Sequence, residues 1–256
     1  MSSIALIVLA AGEGTRMKSD RAKVLHAVGD KPMLSYTLRL CRSLASERTA
    51  VVIGHQADEV KKTFGVDFPE VLWVEQTVRR GTGDAVRCAE SVFKGYAGDV
   101  LILYGDVPLL TRETVAELMA VHRESAADMT VLTAVVDNPA GYGRVVRNAD
   151  GECMKIVEDR DTDDAERAID EINSGIYCVD SSFLFASVAG LDNRNDQGEY
   201  YLTDIAEMAR SAGRKVMICR AGDPYEVLGI NTREELEAAS RRMETRRPST
   251  RNLNEG

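Results

Sequence analysis

The sequence is poor in the residues that most often mark metal centres, disulfide frameworks and membrane spans. It has three histidines and five cysteines among 256 residues. The cysteines form no CxxC pair and no sequence cluster with histidine, which argues against a zinc centre, and their odd number and wide spacing argue against a disulfide framework. No apolar run reaches the roughly 18 residues of a membrane-spanning helix, and no basic leader precedes the first apolar run. We therefore expect a cytoplasmic protein without a membrane partner.

Positive charge is also in deficit. The chain carries 41 acidic and 32 basic residues, a formal net charge of −9. A nucleic-acid partner would favour a basic face, so we expect none. A local group of arginine and lysine side chains can nevertheless hold phosphates inside an acidic protein. The composition therefore argues against nucleic-acid binding and leaves nucleotide binding open.

Apolar runs that alternate with helical patterns fill the first half of the chain. Runs at 4–10, 50–53 and 99–104 are typical of strands buried on both faces, and each is followed by a helical pattern. This order predicts an α/β fold, a Rossmann-like, doubly wound, mostly parallel sheet. The second half is richer in strands, at 130–136, 144–146, 154–157 and 174–179, with a hairpin turn at 148–151.

The first strand runs into a loop of small residues that is followed by two cations. Gly12 and Gly14 lack a Cβ, so their amides can approach a phosphate or a base closely. Arg16 and Lys23 supply positive charge where a nucleoside triphosphate would lie. The segment indicates a nucleotide-binding loop and places the active site near the start of the chain. The structural alternative is a glycine-rich turn that merely joins a strand to a helix.

Two common nucleotide loops fit the segment poorly. A dinucleotide-binding loop needs a third glycine where this chain has Met17, and an acid at the end of the second strand, where it has Gly-His-Gln. A Walker loop needs Gly-Lys followed by Ser or Thr, which does not occur here. The spacing instead matches Leu-x-x-Gly-x-Gly-x-Arg-Met followed by a lysine, a pattern that resembles the sugar-phosphate nucleotidyltransferases.

Two oxygen-bearing side chains are candidates for a magnesium site. Asp106 follows the strand at 99–104, at the sheet edge where parallel sheets bind ligands, and Asn231 precedes the final helix. Carboxylate and amide oxygens suit Mg²⁺, which is a hard cation. Asp106 could instead cap a turn before Pro108, and Asn231 could cap the helix.

Nine short motifs carry a closer resemblance. They are Leu-Ala-Ala-Gly-Glu-Gly-Thr-Arg-Met at 9–17, Lys-Val-Leu-His at 23–26, Gly-Thr-Gly at 81–83, Leu-Tyr-Gly-Asp-Val-Pro-Leu at 103–109, Gly-Tyr-Gly-Arg at 141–144, Ile-Val-Glu at 156–158, Glu-Ile-Asn-Ser-Gly-Ile at 171–176, Gln-Gly-Glu-Tyr-Tyr-Leu-Thr-Asp at 197–204 and Gly-Ile-Asn at 229–231. From about residue 4 to the final helix, the chain resembles the uridylyltransferase domain of the bifunctional N-acetylglucosamine-1-phosphate uridylyltransferases/glucosamine-1-phosphate acetyltransferases.

The resemblance implies a role for each matching position. The nucleotide would be bound by Leu9, Ala10, Ala11, Gly12, Gly14, Gln76, Gly81, Thr82, Tyr104, Gly105 and Asp106, with Gln76 at the uracil edge. The sugar would be bound by Gly143, Glu158, Asn173, Tyr201, Thr203 and Asn231. Arg16 and Lys23 would be the catalytic cations that hold the triphosphate, and Asp106 and Asn231 would bind the cofactor Mg²⁺.

The implied reaction is Mg-dependent transfer of UMP from UTP to N-acetylglucosamine-1-phosphate, which gives UDP-N-acetylglucosamine and pyrophosphate. A phosphate monoester is already an anion, so its attack on the α-phosphorus needs no general base, and the scarcity of histidine fits this chemistry. The expected partners are therefore the small molecules UTP and a sugar-1-phosphate. A related pyrophosphorylase for another sugar phosphate or nucleotide and a non-catalytic nucleotide-sugar sensor are the alternatives.

The implied domain organisation is a nucleotidyltransferase domain over 1–244, with a nucleotide-binding half (1–110), a sugar-binding half (111–231) and a final helix (232–244). The polar segment 245–256 is predicted to be disordered. The sequence holds no hexapeptide-repeat β-helix of the kind that carries acetyl transfer in the family. We therefore expect no acetyltransferase activity and no trimer built on that domain, and the oligomeric state stays open.

Two local features depart from the family pattern. Ala22 stands where a proline usually precedes the loop lysine. The stretch that is commonly Gln-Leu-Gly-Thr-Gly-His-Ala reads Arg79-Arg80-Gly-Thr-Gly-Asp84-Ala here. The two arginines could contact a phosphate, pair with an acid such as Glu75 or face solvent, so the base and sugar preferences stay open.

Overall fold

The computed structural model describes residues 4–246. The strands in this range are β1 (Ile4–Ala10), β2 (Ala27–Val28), β3 (Lys31–Pro32), β4 (Arg48–Ile53), β5 (Leu72–Glu75), β6 (Asp99–Tyr104), β7 (Met129–Val135), β8 (Arg144–Arg147), β9 (Cys153–Val157), β10 (Glu171–Asp180) and β11 (Val216–Arg220). The α-helices are α1 (Met33–Ser43), α2 (Ala57–Phe64), α3 (Thr82–Ala89), α4 (Arg112–Glu124), α5 (Asp164–Arg167), α6 (Ser181–Gly190), α7 (Asp204–Ser211) and α8 (Arg233–Arg246). Short 3₁₀ helices lie at Thr15–Met17, Lys23–Leu25, Glu90–Phe93, Asp159–Asp161 and Pro224–Glu226.

One mixed sheet organises the chain. Its strand order is β11-β7-β10-β6-β1-β4-β5, and the β8–β9 hairpin joins it through β10. β1 pairs in parallel with β4 and β6, and β4 pairs in parallel with β5. β10 runs antiparallel between β6 and β7. The parallel strands therefore end at one edge, where α/β sheets of this kind bind their ligands.

Helices cover both faces of the sheet because the buried strands are apolar on both sides. In β1, Leu6 and Val8 pack into the same cluster as the apolar residues of α1, α2 and α4. Ala5 and Ile7, which alternate with them, pack with those of α3, α6 and α7. This alternation confirms the predicted doubly wound α/β fold.

Most predicted elements are present, with shifted boundaries. The turn at 148–151 joins β8 and β9 as a hairpin, as expected. Strand β10 begins at Glu171 rather than at 174. Helix α8 continues through Arg246, two residues into the segment predicted to be disordered. The rest of that segment, 247–256, lies outside the described residues.

The opposite end of β6 shows how the fold gathers residues that are distant in sequence. Asp99, His122 and Cys178 lie close together there. Nδ1 of His122 lies 2.9 Å from Oγ1 of Thr130 and its Nε2 lies 3.4 Å from Asp99, so hydrogen bonding accounts for the buried ring. Within residues 4–246, no helix combines the length and the apolar character that crossing a membrane requires.

Candidate active site

Two adjoining cavities open at the carboxyl edge of the parallel strands. The larger, of about 500 Å³, lies beside the end of β1 and the start of α3, and the smaller, of about 200 Å³, lies beside β10 and the β8–β9 hairpin. Both are lined by Thr82, Tyr104 and Asp106, so the end of β6 forms their junction. A molecule in each cavity would therefore meet the other beside Asp106.

Most of the residues proposed from the sequence line these cavities. Leu9, Ala10, Ala11, Gly12, Lys23, Gln76, Gly81, Thr82, Tyr104 and Asp106 line the larger one. Tyr104, Asp106, Gly143, Glu158, Asn173, Thr203 and Asn231 line the smaller one. The division follows the predicted division into a nucleotide side and a sugar side.

Lys23 lies at the junction, between two oxygen ligands. Its Nζ donates hydrogen bonds to Oδ2 of Asp106 and, over 2.7 Å, to Oδ1 of Asn231. The Lys23 side chain is 9% exposed and that of Asp106 is 19% exposed, so this ion pair is largely shielded from water. The backbone N–H of Ile230 donates to the Asp106 carbonyl over 2.9 Å, which ties the loop bearing Asn231 to the end of β6.

The same two oxygens suit a divalent cation. Nδ2 of Asn231 donates to the Gly229 carbonyl over 3.2 Å, which leaves Oδ1 to accept from Nζ of Lys23. Thr232, not Asn231, caps helix α8: its hydroxyl accepts from the N–H of Glu235, whose carboxylate accepts from the N–H of Thr232. Asn231 is therefore free of the capping role, and the carboxylate and amide oxygens already converge on one positive charge. Such a donor set fits Mg²⁺.

Gly14 supports Lys23 rather than lining a cavity. Its backbone is left-handed, with φ 71°, and a Cβ there would lie 2.6 Å from Cβ of Lys23. The absence of a side chain therefore lets the loop close on the lysine stem. Gly105 is also behind the cavity wall, because a Cβ there would lie 3.1 Å from both Ala10 and Leu34.

Arg16 is exposed at the entrance to the junction. One of its guanidinium nitrogens lies 3.4 Å from Oδ1 of Asn231, and the side chain also approaches Gly141. Arg16, Lys23, Asp106 and Asn231 therefore form one group of alternating charge and polarity, although 215 positions separate its first and last members in the sequence.

Gln76 lies in the wall of the larger cavity and is 4% exposed. Its Nε2 donates to the carbonyl of Gly81 over 3.1 Å and to Oδ2 of Asp84 over 2.9 Å. Gly81 itself needs the absence of a side chain, because its φ is 99° and a Cβ would lie 2.6 Å from the Tyr200 carbonyl. The start of α3 is thus fitted closely against the segment at 199–201.

The smaller cavity presents polar groups with restrained orientation. Asn173 donates from Nδ2 to the hydroxyl of Tyr177 over 2.7 Å, and its Oδ1 accepts from the N–H of Gly175. Glu158 accepts a hydrogen bond from the Thr203 hydroxyl over 3.1 Å. Burial raises the pKa of Glu158 and outweighs this hydrogen bond. The carboxyl group is therefore easier to protonate than an exposed glutamate and well placed to accept from a hydroxyl.

Tyr201 is the predicted sugar residue that the structure places elsewhere. It is absent from the lining of both cavities, and its hydroxyl donates to Asp161 over 3.0 Å and accepts from Gln197 over 2.8 Å. The pKa of the Tyr201 hydroxyl is raised to about 12, and burial is the largest cause. Tyr201 does not reach the cavities because it is buried, with 5% of its surface exposed, just before α7. It supports the wall that bears Thr203.

The two unusual arginines differ in their surroundings. Arg79 pairs with Glu13 over 2.8 Å at the rim of the larger cavity, and both side chains are nearly half exposed. Glu75, the partner considered from the sequence, pairs with Lys61 instead. Arg80 is exposed, and its carbonyl accepts from the N–H of Tyr200 over 2.7 Å.

Sequence reasoning missed several residues of the site. Glu13 and Glu199 line the larger cavity, while Tyr142, Gly175 and Tyr177 line the smaller one. Tyr142 donates to the Gly229 carbonyl over 3.4 Å, and burial raises its pKa to about 12. The only signals for the last three were their places within the motifs at 141–144 and 171–176 or just beyond, since long-range contacts decide their orientation.

Comparison with known proteins finds similar sequences and a similar fold. Two proteins named bifunctional protein GlmU, from Geotalea daltonii and Brevibacillus brevis, are 44% and 46% identical to the chain over 96% of its length. The chain covers 54% and 53% of them, so it spans about half the length of these relatives. A solved UDP-glucose pyrophosphorylase complexed with UDP-glucose matches with a TM-score of 0.75 at 16% identity, over 96% of this chain and 100% of that one, which confirms the fold.

The family follows from a match within the chain itself. Residues 6–171 match the MobA-like NTP transferase domain. The matched segment is well over half of the sequence and contains most of β1, the loop that bears Lys23, and the end of β6 with Asp106. The expectation of a nucleotidyltransferase of the type found in GlmU proteins is thereby confirmed, and the chain belongs to the MobA-like NTP transferase family.

Proposed function

We propose that the protein transfers UMP from UTP to N-acetylglucosamine-1-phosphate and releases pyrophosphate. The observation that carries this proposal is the position of Asp106, Asn231 and Lys23 where the two cavities meet. A nucleotide in the larger cavity and a sugar phosphate in the smaller one would bring their phosphates to this group. Because UTP is the proposed donor, we also propose that the protein acts in the cytoplasm.

The chain's own cations supply the electrostatic part of catalysis. Lys23 is hydrogen-bonded to Asn231 at the junction of the two cavities, and Arg16 lies at the entrance to that junction. Both would neutralise charge that develops on the triphosphate, in surroundings where interactions are stronger than in bulk water. Mg²⁺ held by Asp106 and Asn231 would add charge neutralisation and orientation when bound. The attacking sugar phosphate is an anion, so positioning replaces a general base.

Substrate recognition would be divided between the cavities. The free oxygen of the Gln76 amide would accept from an N–H of the base, and Gly81 and Thr82 lie beside it. Glu158 and Asn173 would contact the sugar hydroxyls and the N-acetyl group, since both present oriented polar groups to the smaller cavity. Gly143 lines the same cavity and packs closely against Asn173, since a Cβ there would lie 3.5 Å from Cβ of Asn173.

Pyrophosphate release with Mg²⁺ tests the proposal. UTP, CTP, dTTP and GTP would be compared with N-acetylglucosamine-1-phosphate and glucose-1-phosphate, and we expect strong turnover with UTP and the N-acetyl sugar. Asp106→Asn keeps the side-chain shape and is expected to lower kcat at least about 100-fold. Asp58→Asn, an exposed change on α2, is the control. Undiminished turnover in Asp106→Asn would refute the proposed site, and turnover with another substrate pair would replace the proposed substrates.

A further inference from the structure

The amide of Gln76 has a fixed orientation. Asp84 Oδ2 and the Gly81 carbonyl oxygen both lie within hydrogen-bonding distance of the same Gln76 atom, at 2.9 and 3.1 Å. A carboxylate and a carbonyl can only accept, so that atom is the –NH₂ nitrogen and both of its hydrogens are used. Among residues 4–246, no group donates to Oε1 of Gln76, which remains the part of the amide available to the cavity.

Asp84 in turn lies close to Arg87, which other residues hold in place. Its Oδ1 faces a guanidinium nitrogen of Arg87 at 4.0 Å. Arg87 donates twice to the Val188 carbonyl of α6, and its guanidinium lies over the ring of Tyr200, 4.6 Å from the centroid. A chain of contacts therefore runs from α6 through Arg87 and Asp84 to Gln76. Because Asp84 is in the first turn of α3, a rigid element carries it.

This chain of contacts makes Gln76 an acceptor at the cavity wall. Reversing its amide would place Oε1 against the Asp84 carboxylate and the Gly81 carbonyl, which are both acceptors. A base with an N–H at its pairing edge, such as uracil at N3, complements the fixed oxygen. Cytosine has an unprotonated N3 there, and two facing lone pairs repel. A free glutamine could serve either base by rotating.

We propose that Asp84 is a positioning residue that makes the protein select uridine over cytidine nucleotides by preventing rotation of the Gln76 amide. The inference rests on the proposed function only in placing the base beside Gln76. It assigns no direct contact between Asp84 and the nucleotide. It explains how a residue in the first turn of α3 controls specificity from behind the cavity wall.

The test is the ratio of UTP to CTP in kcat/KM and, separately, in affinity measured by calorimetry. Asp84→Ala removes a charge-assisted hydrogen bond, so the ratio is expected to fall about tenfold or more. Asp84→Asn can still accept but can also rotate, so a smaller fall of about threefold is expected. Asp58→Asn is the matched control and keeps the wild-type ratio. Thermal melting identifies variants that fail to fold. If Asp84→Ala fails to fold, the ratio measured for Asp84→Asn tests the inference.

Two results would overturn the inference. One is a wild-type preference for CTP, or equal affinity for UTP and CTP. The other is a folded Asp84 variant that weakens both nucleotides in equal proportion, as a purely structural defect would. Failure of the proposed function has a different signature: UTP binds, and no pyrophosphate is released. The calorimetric ratio then still judges the role of Asp84.

Discussion

Gly14 offers a direct test of how the loop after β1 positions its lysine. Alanine at this position would keep the left-handed φ of 71° and place a Cβ 2.6 Å from Cβ of Lys23. The left-handed conformation costs a non-glycine residue about 1 kcal/mol. The Lys23 stem is 9% exposed and cannot swing away freely, so the overlap adds about 2 kcal/mol, typical of overpacking. We expect Gly14→Ala to lower the free energy of unfolding by about 3 kcal/mol.

Gly213 separates the two contributions. Its φ is 68°, nearly that of Gly14, but no atom lies within 4 Å of the position its Cβ would occupy. Gly213→Ala should therefore cost only the conformational part, about 1 kcal/mol, and leave activity unchanged. Urea denaturation of both variants measures the difference, which we assign to the contact with Lys23.

Activity supplies the second measurement. Relief of the overlap would move Lys23 by about 1 Å relative to Asp106 and Asn231, and a misplacement of that size can cost about 100-fold in rate. Pyrophosphate release by Gly14→Ala should fall accordingly, mostly in kcat. Equal stability losses in the two variants, together with normal turnover in Gly14→Ala, would refute the reasoning.

Two further predictions concern charges. Burial favours the neutral form of Glu171, but hydrogen bonds from Arg147 and Thr133, at 2.6 Å, outweigh it and leave its pKa lowered. The stability that the Glu171 carboxylate contributes is therefore present above its ordinary pKa and is lost as the pH falls. In urea denaturation, Glu171→Gln should lower the free energy of unfolding by about 2 kcal/mol at pH 7 and by less at pH 4. A cost that does not change with pH would contradict this. At the cavity rim, Glu13→Gln should lower the KM for UTP and Arg79→Gln should raise it, each by about threefold and by less at high salt. The melting temperatures of both variants should stay nearly unchanged, because the pair is exposed. Shifts of KM in the same direction would exclude a role for this pair in binding triphosphate.

The parts of the site that were predictable from sequence lie at the ends of apolar strands. Asp106 follows β6, and the glycine-rich loop follows β1, so strand pattern alone places them at one edge of the sheet. Asn231 was ambiguous until the hydrogen bonds between Thr232 and Glu235 removed the capping alternative.

The remaining features depend on contacts between distant segments, which periodicity does not encode. The antiparallel insertion of β10 and its irregularity between Asn173 and Tyr177 were not predicted, although they orient the smaller cavity. Arg79 pairs with Glu13, whereas Glu75, which is closer in sequence, pairs with Lys61. The hydrogen bond from Gln76 to Asp84 likewise joins the residue after β5 to the first turn of α3, and the sequence pattern does not predict it.

The antiparallel strand β10 also has a mechanical consequence. Its backbone is hydrogen-bonded to β6, whose end bears the junction of the cavities, and to β7 on its other side. Rotating the two halves of the chain apart about a hinge would break this ladder of hydrogen bonds. Under the proposed function, we therefore expect substrates to enter and products to leave without separation of the two halves of the sheet. The ladder thus fixes the spacing between the end of β6, at the junction of the cavities, and the part of β10 that lines the smaller cavity.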